Sequence, residues 1–387
     1  MKDTYIPFYR TPVTSKQVAA VVKTLKSGWL TTGPACHELE DRIAGYLGVK
    51  YAIGVSSCTA GLHLSLLAAG VKPGDEVITT PFTFVASVEA ILHCGATPIF
   101  ADIDPDSFNL SPMHAKEKIT DRTTAIMPVH IAGLPCDLNG FEALAWKHKL
   151  HLIHDAAHAI GAEYYGNKIG TTPAITSFSF YVTKNITTGE GGMVTTSNKR
   201  MADLVRVLSL HGMDRQAWKR YRKSGSWYYE VKELGYKYNL ADLNASLGLA
   251  QFEEFDKMQK QRARAASWYD RLFENVEEVT IPPRNDHSVH AWHLYIIRID
   301  PKKLSITRDE LIAELSKAGV GCSVHFIPIF LHPYYRKKYG LKSREFPDTK
   351  KLYERIITLP LYPGIRKWEV TEVVRRLKVI LHSHRRK

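Results

Sequence analysis

Two residues in the middle of the chain could together hold a cofactor and use it. Asp155 ends an apolar stretch in His-Asp-Ala-Ala-His, and Lys184 follows a second one in Phe-Ser-Phe-Tyr-Val-Thr-Lys-Asn. A lysine amine that loses its proton forms a Schiff base with an aldehyde such as that of pyridoxal phosphate (PLP). An aspartate can pair with the pyridinium nitrogen and keep the ring an electron sink. Singly, each residue is more often a strand-end carboxylate or a surface lysine; together they predict PLP chemistry.

A polar segment earlier in the chain could bind the phosphate of such a cofactor. Ser57-Cys58-Thr59-Ala60 opens a helix after an apolar strand, so free backbone N–H groups and the helix dipole would point at an anion. The same string is also an ordinary helix N-cap. The glycine-rich segment 189–192 lacks the Lys-Ser/Thr ending of a P-loop and the downstream acid of a dinucleotide site. We therefore interpret it as a tight turn into a strand.

The elements that must position these residues alternate between strand and helix from about residue 50 to 200. Apolar strands are predicted at residues 76–80, 97–101, 125–129, 152–154, 177–180 and 193–196, with helices at 59–69, 87–93 and 140–148. This alternation predicts an α/β fold with right-handed crossovers over a mostly parallel central sheet flanked by helices. The ligand chemistry then belongs at the carboxyl edge of the sheet.

The remainder of the chain has a different pattern. A long helical region is predicted over residues 240–275, followed by a strand at 290–299, a helix at 309–318 and a second strand at 321–325. This pattern indicates a smaller C-terminal α+β domain. We therefore expect an N-terminal arm with a large cofactor-binding domain over residues 1–250, and a small domain over residues 251–387.

Composition excludes several other classes of protein. The chain is 44% hydrophobic and 24% charged, which is typical of a globular protein. No uncharged apolar run approaches the ~18 residues of a membrane span, and the opening residues lack an apolar leader core. We expect no membrane partner and a cytoplasmic location. The five cysteines include no Cys-x-x-Cys pair, and the histidines are scattered along the chain, so no metal site is predicted.

The net charge of +13 raises the alternative of a basic, non-enzymatic nucleic-acid-binding protein. The excess is concentrated in residues 214–223 and 382–387, and neither segment resembles a helix-turn-helix or a single-strand-binding fold. A solvated basic face, or a loop that meets a phosphorylated substrate, is the preferred interpretation. We therefore expect no nucleic-acid partner.

Motifs along nearly the whole chain resemble the DegT/DnrJ/StrS family of nucleotide-sugar aminotransferases, within PLP-dependent fold type I. They are Ser-Gly-Trp-Leu-Thr-Thr-Gly-Pro (27–34), Val-Ser-Ser-Cys-Thr-Ala (55–60), residues 73–85 and 95–104, the block 155–184, Thr-Thr-Gly-Glu-Gly-Gly-Met (187–193) and Gly-Tyr-Lys-Tyr-Asn-Leu-Ala-Asp (235–242). Three segments are most similar to members of the family that make UDP-4-amino-4-deoxy-L-arabinose. They are Ser-Gly-Trp-Leu-Thr-Thr-Gly-Pro, Tyr-Lys-Tyr-Asn and His-Ala-Trp-His-Leu.

This resemblance implies a role for each cofactor-site residue. Lys184 would carry the cofactor and move protons, and Asp155 would pair with the ring nitrogen. His158, a glutamine in many relatives, would bind the ring hydroxyl, although a helix-face histidine is the plain alternative. The residues implied around the phosphate and the ring are Ser57, Cys58, Thr59 and Ser179 at the phosphate, Phe84 stacked on the ring, and Asn239 reaching the phosphate from the second subunit of a homodimer.

The resemblance also implies the reaction. L-glutamate would convert PLP to its pyridoxamine form (PMP) and leave as 2-oxoglutarate, and a UDP- or dTDP-linked 4-keto sugar would then receive the amine. A 3-keto sugar, or another amine acceptor, is the alternative; Lys184 argues against the family's dehydratases, which have histidine there. Candidate substrate residues are Thr31, Thr32, His325 and Arg215 in the basic aromatic loop 215–229, where a solvated surface is equally plausible for each loop residue.

Overall fold

The computed structural model describes residues 4–213 and 228–386 of the chain. Its helices are α1 (Ser15–Ser27), α2 (Pro34–Leu47), α3 (Cys58–Ala68), α4 (Val85–His93), α5 (Pro112–Glu117), α6 (Leu138–His148), α7 (Lys199–Leu208), α8 (Asp242–Phe252), α9 (Phe255–Phe273), α10 (Arg308–Lys317), α11 (Pro333–Tyr339), α12 (Pro347–Tyr353) and α13 (Lys367–Ser383). Its strands are β1 (Tyr51–Val55), β2 (Glu76–Thr79), β3 (Thr97–Phe100), β4 (Thr123–Ile126), β5 (His151–Asp155), β6 (Glu163–Tyr164), β7 (Asn167–Lys168), β8 (Ile175–Ser179), β9 (Gly192–Thr196), β10 (Val279–Thr280), β11 (Ser288–Val289), β12 (Tyr295–Ile299) and β13 (Ile356–Leu359).

A seven-stranded sheet forms the centre of the molecule, in the order β1-β9-β8-β5-β4-β2-β3. Neighbouring strands from β8 to β3 run parallel, and β9 runs antiparallel to both of its neighbours. Strands β2, β8 and β9 are buried along their whole length, as expected for strands covered on both faces. The predicted fold class, a mostly parallel sheet flanked by helices, is confirmed.

Helix α3 crosses the sheet and is itself almost completely buried. Its leucines Leu62, Leu64 and Leu66 pack with Ile53, Ile153 and other strand residues into one apolar cluster. Full burial of one such side chain stabilises the fold by about 1.5–3 kcal/mol. The packing therefore fixes the start of α3 against the sheet edge where β5 and β8 end.

The C-terminal part of the chain builds a three-stranded sheet in the order β10-β12-β13. Residues of α9, α10 and α13 cover it in a second apolar cluster. Ile6 of the N-terminal arm also belongs to this cluster and forms a parallel bridge with Val320. The domain boundary after residue 250 stays a prediction.

Two elements differ from the sequence prediction. The helical region 240–275 is two helices, α8 and α9, because a turn at residues 253–254 lets Phe252 and Phe255 both pack against the ring of Tyr46 at 5.5 Å. The predicted strand at 321–325 is wrong: only Ser323 forms an isolated bridge, with Thr358. The backbone of Gly321 bonds instead to the N-terminal arm, where its N–H donates to Ile6 O at 2.9 Å.

The predicted strand at 290–299 is shortened to β12. Residues 290–293 turn out of the sheet and bond to the loop after β4, with His293 N–H donating to Ala132 O at 3.0 Å. Trp292 takes a positive φ of 49° in this turn. Within the described ranges, no helix combines the length and the apolar character needed to cross a bilayer.

Candidate active site

A cavity of about 550 Å³ lies at the carboxyl ends of β5 and β8. It is closed on other sides by the N-terminal arm and by residues of the C-terminal part. The predicted site residues that the structure brings together on its wall are Ser57, Cys58, Thr59, Phe84, Asp155, His158, Ser179, Lys184 and His325. Residues separated by more than a hundred positions in the sequence thus share one pocket.

Lys184 lies in a tight turn after β8, half-buried at the cavity wall. Its backbone N–H donates to Tyr181 O at 2.9 Å. Burial lowers the pKa of the Lys184 amine to about 8, and the nearby Cys58 and Asp155 only partly oppose this shift. A neutral, nucleophilic amine is therefore accessible near physiological pH.

Asp155 is buried at the end of β5 and is held by two donors. The Ser87 hydroxyl donates to Oδ2 at 2.7 Å, and Ala157 N–H donates to Oδ1 at 3.1 Å. Burial raises the pKa of this carboxyl, while the two hydrogen bonds and Lys184 act in the opposite direction. The Thr83 hydroxyl lies 2.8 Å from that of Ser87 and completes the chain of bonds. A cationic ring nitrogen would complete the compensation of this buried charge.

His158 follows Asp155 and presents a nitrogen with no bonding partner. Its Nδ1 is buried and unbonded in the described structure. The ring lies between His293, at 4.3 Å between centroids, and Phe326, at 5.6 Å and nearly parallel. Burial, then Lys184 and His325, lower the pKa of His158 well below its usual range. The nitrogen is thus a neutral group ready to bond a ring hydroxyl.

The start of α3 forms the phosphate-binding candidate. Ser57 caps the helix by accepting from Ala60 N–H at 3.1 Å, and the Cys58 thiol turns inward to Ser177 O at 3.6 Å. The first N–H groups of a helix have no intrahelical acceptor, so those of residues 58 and 59 are available to an anion. Ser179 Oγ accepts from Tyr181 N–H at 3.3 Å, which leaves its own proton free to donate.

A glycine lets this turn sit against the sheet. A Cβ on Gly192 of β9 would lie 2.7 Å from the Ser57 carbonyl carbon and 2.8 Å from Cys58 N. Any side chain there would push the turn outward. The unbonded His158 nitrogen, the buried Asp155 and this cradle together fit PLP, with Lys184 placed to carry it.

Phe84 is 58% exposed although it belongs to the cavity wall. A large apolar ring this exposed beside a pocket is suited to stacking on a ligand. Its ring lies 6.0 Å from that of Phe326. Phe84 thus lines the same cavity as Lys184 and Asp155, and its stacking on the cofactor ring stays a prediction.

Three other predicted residues are not on this cavity wall. Asn239 and Thr32 bond to each other, Nδ2 to Oγ1 at 2.7 Å, and neither they nor Thr31 line this cavity. Arg215 falls outside the described residues. His325 does line the cavity, with its Nδ1 3.0 Å from the Thr358 hydroxyl. The roles of these residues stay predictions.

Several wall residues were not singled out from the sequence, namely Phe8, Tyr9, Thr83, His293 and Phe326. Ser87, which bonds Asp155 but does not line the cavity, was not singled out either. Tyr9 ties the arm to the lysine turn, since its hydroxyl donates to Val182 O at 2.9 Å. Phe8 stacks on His325 with centroids 5.5 Å apart. The arm reaches the site through tertiary packing, for which the local sequence carries no signal. Among the described residues, no group of three His, Cys, Asp or Glu side chains is placed to hold a metal.

The fold and the pocket define a PLP-dependent transferase of fold type I. Residues 13–378 match the model of the DegT/DnrJ/EryC1/StrS aminotransferase family, and the chain belongs to this family. Its cofactor is PLP, cycling through PMP. Family membership also makes it a sugar aminotransferase in the broad sense.

Similar proteins cover the chain from end to end. An uncharacterized protein of Methanocaldococcus jannaschii is 48% identical over all of both chains. SpsC of Bacillus subtilis, a spore coat polysaccharide biosynthesis protein, is 44% identical over 98% of each. Among solved structures, Spr1654 of Streptococcus pneumoniae, assigned as a sugar aminotransferase, superposes in its PMP form with a TM-score of 0.92, at 33% identity over 98% of this chain and 99% of its own. DesI, solved with its TDP-sugar product, has a TM-score of 0.87, at 28% identity over 98% of this chain and 94% of its own.

Proposed function

We propose that the protein transfers an amino group from L-glutamate to the 4-keto carbon of a UDP- or dTDP-linked sugar. The products are 2-oxoglutarate and a 4-amino-4-deoxy sugar nucleotide. The observation that carries the proposal is the neutral polar wall beside Lys184: burial lowers the pKa of His158, His293 and His325, to about 4 for His325. Neutral imidazoles suit the hydroxyl groups of a sugar ring.

Each group of residues in the pocket has its own role in the proposed reaction. Bound PLP supplies an electrophilic carbon and an electron sink. Lys184 carries the cofactor and, as a free amine at Nζ, takes a proton from the carbon of the amino donor and later gives one to the sugar carbon. Asp155 holds the positive charge of the ring nitrogen, because its two donors fix both carboxylate oxygens. The rings of Phe8, Phe84 and the other wall aromatics exclude water.

The relatives support the choice of substrate class. DesI was solved with a TDP-sugar product, which supports a nucleotide-linked sugar here. The resemblance to enzymes that make UDP-4-amino-4-deoxy-L-arabinose supports the 4-position and a UDP pentose. SpsC is named for polysaccharide biosynthesis, which supports polysaccharide or lipopolysaccharide assembly as the use of the product. A cytoplasmic location stays a prediction.

We also propose that the enzyme is a homodimer with shared sites. Asn239, Thr31 and Thr32 do not line the cavity of their own chain, which supports a contact with the site of the partner subunit. Helix α1 carries an exposed apolar stripe, Val18, Val22 and Leu25, and Trp29 and Leu30 beyond its end are also exposed. A contiguous apolar patch of this kind is suited to a subunit interface.

The test separates the two half-reactions. Holoenzyme is converted to the PMP form with L-glutamate, and the return of PLP absorbance is followed after adding UDP-4-ketopentose or, separately, dTDP-4-keto-6-deoxyglucose. We expect recovery with at least one of them, and recovery with the UDP pentose alone would favour the aminoarabinose branch. No recovery with either sugar, while 2-oxoglutarate restores the absorbance, would refute the proposed substrate class.

A further inference from the structure

The backbone at His293 is fixed from several sides although it lies on a turn. Its backbone N–H donates to Ala132 O at 3.0 Å. Arg262, only 2% exposed, donates through Nη1 to the carbonyls of Trp292, His293 and Leu361 at 3.2–3.4 Å. No ion pair to an acid is found for Arg262 among the described residues. Burying an arginine whose only partners are carbonyl groups costs desolvation free energy. This cost is consistent with a role in holding this part of the cavity wall rigid.

Asn185, the residue after Lys184, determines which nitrogen of His293 carries the proton. Asn185 Nδ2 lies 2.7 Å from Ala291 O and 2.8 Å from Gln259 Oε1. A backbone carbonyl can only accept, so the amide orientation is fixed, with Oδ1 facing His293 Nδ1 at 3.2 Å. Because Oδ1 also only accepts, Nδ1 must be the protonated nitrogen.

The second ring nitrogen of His293 is consequently a bare acceptor. A neutral imidazole carries one proton, and burial, followed by His158 and Lys184, lowers the pKa of His293 well below its usual range. The residue lines the cavity, and no described group donates to its Nε2. His158 lies alongside, with 35° between the ring planes and its own Nδ1 unbonded.

We propose that Nε2 of His293 accepts a hydrogen bond from a donor group of the substrate, and that His293 is thereby a specificity-determining residue. The substrate group that donates to Nε2 is an O–H or an N–H group. It belongs either to a hydroxyl of the sugar or to the ammonium group of the amino donor. The proposal rests on the proposed function, since it assigns to the same pocket a contact with the molecules that react there. A site that holds a fixed acceptor discriminates against an analogue that lacks the donor.

Two substitutions, each of which keeps a polar atom near only one of the two ring nitrogens, separate this role from structural support. In His293→Asn the amide nitrogen can replace Nδ1 and keep the bond to Asn185, but the acceptor at Nε2 is lost. In His293→Gln an amide oxygen can occupy the place of Nε2 and accept. Cofactor content and Tm of both variants control for folding, and the two half-reactions are measured separately by absorbance.

We expect His293→Asn to lower the apparent second-order rate constant of at least one half-reaction about tenfold, as for a buried donor left unpaired. His293→Gln should stay within about threefold of the wild type. If the rate constant of His293→Asn falls only in the keto-sugar half-reaction, the donor to Nε2 is a sugar hydroxyl. If it falls only in the glutamate half-reaction, the donor is the ammonium group. Nitrogen-15 NMR of the imidazoles should show Nδ1 of His293 protonated and Nε2 bare.

Several results would overturn the proposal: no loss in His293→Asn in either half-reaction, equal loss in both variants, or a protonated Nε2. If the wild type aminates neither keto sugar while its glutamate half-reaction proceeds, the proposed substrate class fails by itself. The glutamate half-reaction of the same variants then decides the role of His293.

Discussion

The buried carboxyl of Asp155 keeps a negative charge only as far as its neighbours replace the water it has lost. Burial raises its pKa, and the donors Ser87 and Ala157 together with Lys184 oppose that effect. The hydroxyl of Thr83, 2.8 Å from that of Ser87, supports the serine in its turn. The strength of the contact between Asp155 and a cationic ring therefore depends on Ser87, which does not line the cavity.

Replacing Ser87 by alanine tests this dependence. The lost bond to a charged group is worth about 1.5–3 kcal/mol, so we expect Ser87→Ala to slow the glutamate half-reaction at least tenfold. A rapid-mixing measurement of PLP absorbance gives the rate. The matched control is Ser65→Ala, which removes another buried hydroxyl contact, 3.1 Å from Ser177 Oγ. Equal rates in the two variants would show that Ser87 supports only the fold.

At the scale of elements, the phosphate cradle depends on contact between β9 and the start of α3. Gly192→Ala would place a methyl group 2.7–2.8 Å from the backbone of Ser57 and Cys58, closer than atoms can pack. We expect a loss of PLP affinity of about tenfold or more, with a smaller loss for pyridoxal, which lacks the phosphate. Equilibrium titration of the apoenzyme with both compounds measures the difference.

The control for that substitution is Gly45→Ala in α2, where a Cβ meets nothing within 4 Å. Alanine in a helix interior is favoured over glycine by roughly 0.5–1 kcal/mol, so this variant should be slightly more stable and bind PLP normally. If Gly192→Ala bound the two compounds with the wild-type ratio, the cradle would not be the phosphate site.

A buried histidine on α3 makes stability depend on pH. Both nitrogens of His63 are buried and unbonded, its ring packs on Tyr236 at 4.8 Å, and burial lowers its pKa to about 4. The unfolded chain takes up this proton near pH 6.5 and the folded chain only near pH 4, so the folded state loses stability as pH falls between these values. At pH 5 this histidine lowers the free energy of unfolding by about 2 kcal/mol relative to its value above pH 6.5.

We expect His63→Phe to remove this part of the acid sensitivity, because phenylalanine fills the same aromatic contact without titrating. Urea unfolding at pH 7 and pH 5 measures the change. The free energy of unfolding should fall less between the two pH values in the variant than in the wild type. An identical fall in both proteins would mean that other buried histidines, such as His130 and His154, account for the acid sensitivity.

The sequence predicted those elements whose pattern is local. The strands at the centre of the sheet are short apolar runs, and the Asp155 and Lys184 positions follow from where such runs end. The break between α8 and α9 could not be predicted, because it depends on packing against Tyr46, two hundred residues away in the chain. Ser87 and His293 were missed for the same reason: their partners Asp155 and Asn185 lie 68 and 108 positions away.

At the scale of the whole molecule, the proposed shared site predicts complementation between defective subunits. Lys184→Ala abolishes the chemistry of a subunit's own site, and Asn239→Asp would place a negative charge at the partner's phosphate. In a mixed dimer that carries one of each, one site combines both defects and the other is intact. Random mixing should therefore restore about a quarter of the wild-type activity.

Activity of the refolded mixture, with light scattering to show the dimer, measures the effect. The two variants refolded separately are the controls. If the mixture were no more active than the separate proteins although dimers had formed, Asn239 would act within its own subunit or not at all.

The central claim is that Lys184 holds the cofactor in this pocket, and the most direct measurement traps it there. Holoenzyme is reduced with borohydride, digested and mapped by mass spectrometry, with Lys184→Ala treated in parallel. We predict a phosphopyridoxyl group on the peptide that contains Lys184, and none in the variant. A label on another lysine, or no label in the PLP-loaded wild type, would contradict the account.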